Sequence, residues 1–346
     1  MIGGVPGLND KMFEGTSDKN IPLSILLKLT RGSTGMWYSS GRAALINLLK
    51  EYSSQGVKHI VLPSYLCRSI PIACKTAGFT YSYYSVGPFL DEIKFDQSKL
   101  PQRLTLVINY FGFKNHNHVA GSVIEDCTHS FLSRFEFRKN AAQFFSVRKT
   151  GPFPLGGWAT VKCGGHQTHS KMLLQLFDAE LKQLHKKYDY IKSGGCDLVT
   201  ETDYLRTRKD LEVFLDAFPE VDRLPEEGLD LISRYMWSIE AEKRRENWKT
   251  LHGRLSSQGY SFHNDLPSDV VPFGYVLKLD SSSRNRIRDQ LAAKRIYCPV
   301  HWPLSEDVND LNAIKLSASL LTLPLDSRYN EIQMSVLCQE LEALLK

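Results

Sequence analysis

Apolar positions along the chain change period several times, and each change predicts an element. Ala43, Ala44, Leu45, Leu48 and Leu49 recur at helical spacing behind Ser39-Ser40-Gly41, a run of small residues that predicts a helix start with free backbone N–H groups able to hold an anion. His59–Pro63 then reads as a short buried strand, 70–76 as a helix and Thr80–Val86 as a second strand. The strand series continues at 104–109, Ser122–Asp126 and 158–162. Strands separated by helices predict an α/β fold with a largely parallel or mixed sheet.

Two later stretches have the 3.6-residue period of amphipathic helices. Residues 170–192 carry a stripe of Leu173, Leu174, Leu176, Phe177, Leu181 and Leu184, and 232–255 repeat the behaviour, with the charged run 240–246 assigned to the solvated side. Between them, 193–208 is polar and contains glycine, and reads as an insertion. Beyond about residue 250 the order becomes strand (271–279), helix (283–294), strand (297–302) and closing helix (Glu331–Leu345). The division this predicts is a large domain over 1–250, with an N-terminal arm, and a small C-terminal α+β domain over 251–346. Neither an internal repeat nor a low-complexity segment is present.

With 346 residues, 42% hydrophobic and 23% charged, the chain has the length and composition of an ordinary globular enzyme. Its net charge of +5 is modest, and basic residues alternate with acidic ones, which argues against a nucleic-acid partner. Seven scattered cysteines without a paired CxxC pattern read as reduced and mostly buried. Residues 1–20 lack the apolar core of a signal peptide, and no stretch is apolar enough to cross a bilayer, so the expected compartment is the cytoplasm, without membrane attachment.

The chemistry is concentrated in two strings. Val123-Ile124-Glu125-Asp126-Cys127-Thr128-His129 places an acid at the end of an apolar strand, and Gln143-Phe144-Phe145-Ser146-Val147-Arg148-Lys149 leads to a lysine before a Gly/Pro run ending in Gly156-Gly157. Together with the Ser40-Gly41-Arg42 helix start, these are the parts that pyridoxal phosphate (PLP) requires. A lysine amine holds the cofactor aldehyde as an imine, a carboxylate keeps the pyridine nitrogen protonated, and a helix N-terminus neutralises the phosphate dianion. No member of the set is informative alone.

The strings SGRAAL at 40–45, VLPSY at 61–65, VIEDCTHS at 123–130, FSVRKTGPFPLGG at 145–157 and CPVHWPL at 298–304, with Leu323-Pro324-Leu325 before the last helix, resemble the DegT/DnrJ/EryC1/StrS family. These are sugar aminotransferases of PLP fold type I, and the resemblance runs over nearly the whole chain. It implies Lys149 as the Schiff-base lysine and proton shuttle, Asp126 as partner of the pyridine nitrogen, and His129 beside the cofactor ring and its phenolic oxygen. It also places Ser40, Gly41 and Arg42 on the phosphate-binding turn, with Ser146 as a further phosphate ligand, and His301 and Trp302 at the active-site mouth against a sugar or nucleotide. The implied activity moves an amino group from glutamate or glutamine to a keto group of a nucleotide-linked sugar, in polysaccharide or secondary-metabolite biosynthesis. A homodimer with each site completed by the neighbouring chain is implied as well.

This chain departs from the family pattern in the Gly/Pro segment after Lys149, which carries no acid, and at three further places. Arg42 stands where Thr or Ser is common, and Phe113 ends the string that in the family reads His-x-x-Gly-Gln. Cys67 replaces an aromatic residue that stacks on the cofactor, with Tyr65 nearby as a substitute. These departures leave open a different PLP reaction such as dehydration, which Lys149 disfavours, and a catalytically silent PLP fold acting as scaffold or regulator. His116 and His118, or Cys163, His166 and His169, have the types but not the spacing of zinc ligands, so no metal is expected. No Gly-x-Ser-x-Gly elbow surrounds Ser146, which argues against a serine hydrolase.

Overall fold

A computed structural model of the chain describes residues 1–3, 7–13, 30, 32–90, 93–94, 104–161, 170–193, 198–217 and 223–345. The short strand β1 (Ile2–Gly3) is followed by β2 (Met36–Tyr38), α1 (Gly41–Ser54), β3 (His59–Pro63), α2 (Ser69–Thr76), β4 (Thr80–Val86) and β5 (Ile93–Lys94). Then come β6 (Leu104–Ile108), β7 (Ser122–Asp126), β8 (Ala142–Ser146) and β9 (Gly157–Ala159). These strands except β1 form one eight-stranded sheet in the order β2-β9-β8-β7-β6-β3-β4-β5. Its middle, from β8 through β4, is parallel, and both margins are antiparallel. Parallel strands covered on both faces need continuous apolar runs, and β6 is buried at all five positions.

The remaining helices are α3 (Lys171–Lys192), α4 (Leu198–Ala217), α5 (Glu226–Arg234), α6 (Trp237–Leu255), α7 (Ser281–Ala293), α8 (Leu311–Ser319) and α9 (Glu331–Leu345). In the C-terminal part, β10 (Tyr275–Lys278) pairs antiparallel with β12 (Leu320–Leu323), and β11 (Ile296–Tyr297) pairs in parallel with β1. Ile2 thereby joins a C-terminal core of Trp248, Leu251, Tyr275, Ile287, Leu321 and Leu337, so the first residues of the chain pack with its last hundred. A second core follows α1 and the sheet, and a third, rich in aromatics, joins Phe131, Phe145 and Trp158 to α3, α4 and the start of α6.

Several sequence expectations are corrected. Residues 198–208 of the supposed polar insertion belong to α4, which packs along α3, while 194–197 lie outside the described residues. The single helix expected at 232–255 is two, because Tyr235 is extended and bridges Phe13 while the Met236 N–H donates to the Met12 carbonyl. The Trp237 indole N–H caps the broken end through the Ile232 carbonyl at 2.8 Å. The strand expected at 297–302 stops at Tyr297, and the one at 271–279 shrinks to Tyr275–Lys278. Before it, Val271 and Phe273 give their N–H groups to the Ser133 hydroxyl and the Phe111 carbonyl. The strand at 158–162 is shorter and starts at Gly157, with 162 outside the described residues.

Nor is the charged run of α6 a purely solvated face. Glu240 and Arg244 are buried and paired at 2.5 Å, one turn apart. Glu240 also accepts from the Tyr235 hydroxyl at 3.0 Å, and Arg244 donates to the Phe273 carbonyl at 2.6 Å. Removing one partner of such a pair leaves an uncompensated buried charge. Glu240→Ala is expected to lower unfolding free energy by about 3–5 kcal/mol, read as the shift of the urea transition at pH 7.

Candidate active site

Asp126 and Lys149 line the same cavity of about 270 Å³, at the C-terminal ends of the parallel strands. Two pairings bring this about. Asp126 is in register with Ile108 on β6 and with Phe144 on β8, and neighbouring in-register side chains share a face, so Ile108, Asp126, Phe144 and Ser146 all line the cavity. Lys149 ends the single turn Val147–Lys149 that follows β8, and its amine lies 5.9 Å from the ring centre of Trp302.

The N-terminus of α1 forms another wall through Ser40, Gly41 and Arg42. Ser40 caps the helix, its hydroxyl accepting from the Ala43 N–H at 3.1 Å. A Cβ at position 41 would lie 2.8 Å from that of Ser146, so glycine is what lets the helix end approach the end of β8. Gly156 completes the seam. Its N–H donates to the Ser39 carbonyl at 2.9 Å, and its carbonyl accepts from the Val147 N–H and the Ser146 hydroxyl, both at 3.2 Å. It does so at φ +137°, where a side chain would also collide with Val147.

Burial raises the Asp126 carboxyl above the ordinary carboxylate range, while the Thr128 hydroxyl and N–H and the nearby Lys149 charge pull it back. The Thr128 N–H donates to Asp126 Oδ1 at 2.8 Å. His129 lies between two rings, Phe273 at 3.9 Å and 12° and Trp302 at 5.3 Å and 19°. Its Nδ1 accepts from the Phe111 N–H at 3.3 Å, which assigns the ring proton to Nε2. Burial first, and then the neighbouring His301, Lys149 and Arg244, lower His129 well below the usual imidazole range.

The other expected residues are placed as follows. Arg42 lines the cavity but its guanidinium pairs with Asp216 and with the Leu215 carbonyl on α4, while its Nε is buried without a hydrogen-bond partner among the described residues. Cys67 and Trp302 line this cavity and an adjoining one of about 600 Å³. His301 lines only the second, its Nδ1 2.9 Å from the Thr322 hydroxyl. Tyr65 lines neither. It is wholly buried behind the wall, its ring against Trp302 and Tyr110.

Sequence reasoning missed the contribution of α4 and its ion pairs. Arg148 donates to Glu212 at 2.5 Å and to the Pro154 carbonyl at 2.7 Å, and Arg208 bonds both Glu212 and Glu180. Burial alone would raise the Glu212 carboxyl, but Arg148 and Arg208 outweigh it and hold it below its usual range. The adjacency of Arg148 to Lys149 was the available signal, and no spacing rule links it to residue 212. Among the described residues no group of three or more metal-ligand side chains exists, and Cys163, His166 and His169 lie outside them. No described helix is long and apolar enough to cross a membrane, and none of the five described cysteines is in a disulfide with another described residue.

No protein-family model matches the sequence, and no curated protein matches it. Solved structures do. Helicobacter pylori PseC, an aminotransferase involved in the biosynthesis of pseudoaminic acid, superposes with TM-score 0.69 at 14% identity, over 99% of this chain and 98% of PseC. Spr1654 from Streptococcus pneumoniae, in its PMP form, gives 0.66 at 12% identity over 99% of both chains. A DegT DnrJ EryC1 StrS aminotransferase from Brucella abortus gives 0.60 at 13% identity, over 96% of this chain and 91% of that one. The chain therefore has the fold of the PLP-dependent aminotransferases, with a mixed, mostly parallel sheet flanked by helices, as the sequence predicted.

Burial lowers His263 and His301 from an ordinary value of 6.5 to about 3, and His129 moves the same way. For a histidine whose folded value is depressed, the stabilisation is complete above about pH 6.5 and is lost as the pH falls toward 3. A ring lowered to about 3, as His263 and His301 are, costs roughly 2 kcal/mol at pH 5 relative to pH 7. His263, stacked on Phe113 at 3.7 Å, is the simplest to replace. His263→Phe is expected to flatten the fall in melting temperature between pH 7 and 5, and an unchanged slope would contradict the assignment.

Proposed function

We propose that this protein is a PLP-dependent aminotransferase of the DegT/DnrJ/EryC1/StrS type. In this reading it moves an amino group from an amino acid, glutamate or glutamine, to a keto group of a nucleotide-linked sugar. The observation that carries the reading is the convergence of Asp126, Lys149 and the N-terminus of α1 on one cavity. The residues fit the cofactor chemically: a buried acid, an amine, a helix end opened by glycine, and a buried Arg42 Nε without a partner among the described residues. The structural likeness to Spr1654, solved in both PLP and PMP forms, supports the same cofactor.

When bound, PLP supplies an electron sink for the bond broken at the amino-acid Cα. The chain's own groups do the rest. Lys149, on a turn tied back to Val147, would hold the cofactor through its amine and, once released by the incoming amino acid, would accept the proton from the amino-acid Cα. Asp126, shielded from water, provides the negative charge that keeps a ring nitrogen protonated. His129 offers its Nε2–H as a donor, and the first N–H groups of α1 offset the phosphate charge, the Arg42 guanidinium being engaged by Asp216.

The adjoining cavity supports an anionic substrate. Arg148, Lys149, Arg208, Arg244, Arg288 and Arg328 line it, against Asp326 as its one lining carboxylate. Arg328 engages that acid, and Arg148, Arg208 and Arg244 are paired with Glu212, Glu180 and Glu240 outside the lining, whereas Arg288 has no ion-pair partner among the described residues. Arg288 thus suits a carboxylate of an amino-acid donor or the diphosphate of a sugar nucleotide. A cytoplasmic homodimer, with a large unit over 1–250 and a small one over 251–346, completes the proposal.

Absorption spectroscopy tests it. Purified protein given PLP should absorb in the visible and lose that band on adding glutamate, and Lys149→Ala should not form it. Asp126→Asn should slow the glutamate half-reaction by on the order of 10²-fold or more. An unchanged rate would remove Asp126 from its role. Product mass after incubation with glutamate and keto-sugar nucleotides then identifies the acceptor.

A further inference from the structure

We infer that Trp302 supplies the aromatic face for the cofactor ring, which the small Cys67 thiol beside it cannot offer. The inference rests on the PLP reading above and assigns a cofactor contact to a residue whose expected partner was the sugar. Cys67 and Trp302 both line the boundary between the two cavities, so the small thiol and the large indole share one wall. The thiol is already turned to a neighbour, with the Ser69 hydroxyl 3.1 Å from its sulfur.

Trp302 reaches this wall by leaving its own part of the molecule. Its chain neighbours Cys298 and Val300 pack into the C-terminal core, but its indole belongs to the core of the main sheet. It is fixed there from three directions, against Tyr65 at 5.5 Å, Tyr110 at 6.3 Å and His129 at 5.3 Å, and its carbonyl accepts from the Ser317 hydroxyl at 2.7 Å. Only 9% of the residue stays exposed. The Lys149 amine stands over the indole ring, 5.9 Å from its centre. A protonated pyridine ring held by Lys149 and Asp126 is flat and electron-poor, and an indole face is the electron-rich surface that attracts it most. The same indole packs beside His129, so one side chain sets both the ring's stacking surface and the pose of its neighbouring donor.

The test is a titration of the full-length protein with PLP, following the visible absorption and induced circular dichroism, for wild type, Trp302→Phe, Trp302→Ala and the double variant Trp302→Ala/Cys67→Phe. Trp302→Ala is expected to weaken binding about tenfold and to reduce the induced dichroism, while Trp302→Phe stays within about threefold of wild type. The double variant should recover most of the loss, because it returns an aromatic side chain to the wall that the two residues share; a variant merely damaged in folding would not. Equal affinity and dichroism for wild type and Trp302→Ala, or no recovery in the double variant, overturns the assignment while leaving the proposed function standing. A wild type that takes up no PLP overturns both.

Discussion

The parallel pairing of β7 with β8 governs where every group of the candidate site comes to lie. With Asp126 opposite Phe144, the acid, Phe144 and Ser146 share the cavity face, and the turn after β8 delivers Lys149 to the same space. A slip of one residue would exchange Asp126 for Glu125, because successive side chains on a strand point to opposite faces. Glu125 is bound to the other side, accepting from Asn109 at 2.9 Å and from the Arg138 N–H at 3.1 Å. Two adjacent acids thus acquire different environments from the pleat alone, one a satisfied structural anchor and the other a cavity wall.

Around that pairing, packing without side chains brings the helix end to the strand end. Gly41 faces Ser146, and Gly157 passes so close to the Ser40 carbonyl that a Cβ there would stand 2.1 Å from it. The orphan N–H groups of α1 are thereby aimed beside an acid and an amine that belong to other elements. Charge closes the remaining side. Arg42 and Arg148, each adjacent in sequence to a residue of the site, reach to Asp216 and Glu212, so α4 is fastened to the cavity by the same segments that build it.

Much of this was legible in the chain before folding. Strands β3, β4 and β7 have the limits expected of them, since short apolar runs and, in β4, tyrosines and a valine interleaved with serine have the pattern of a strand. The lysine and acid strings were recognisable because coenzyme chemistry restricts residue type. What failed has a common cause: α4 and the break at Tyr235 depend on partners remote in sequence, and the burial of Arg244 depends on the Phe273 and Thr150 carbonyls across the fold. Charge patterning alone assigned Arg244 to water.

The amino-acid sequence by itself determined which residue types could do the chemistry and the order of elements carrying them, because propensity and period are local properties. Only the tertiary structure decided which of them meet. It put Tyr65 behind the wall and Trp302 on it, turned Arg42 toward α4, and lined a second cavity with arginines drawn from five separate segments. Contacts of that kind arise from the register of parallel strands and from the burial of aromatic and charged side chains among distant neighbours, which no window along the chain contains.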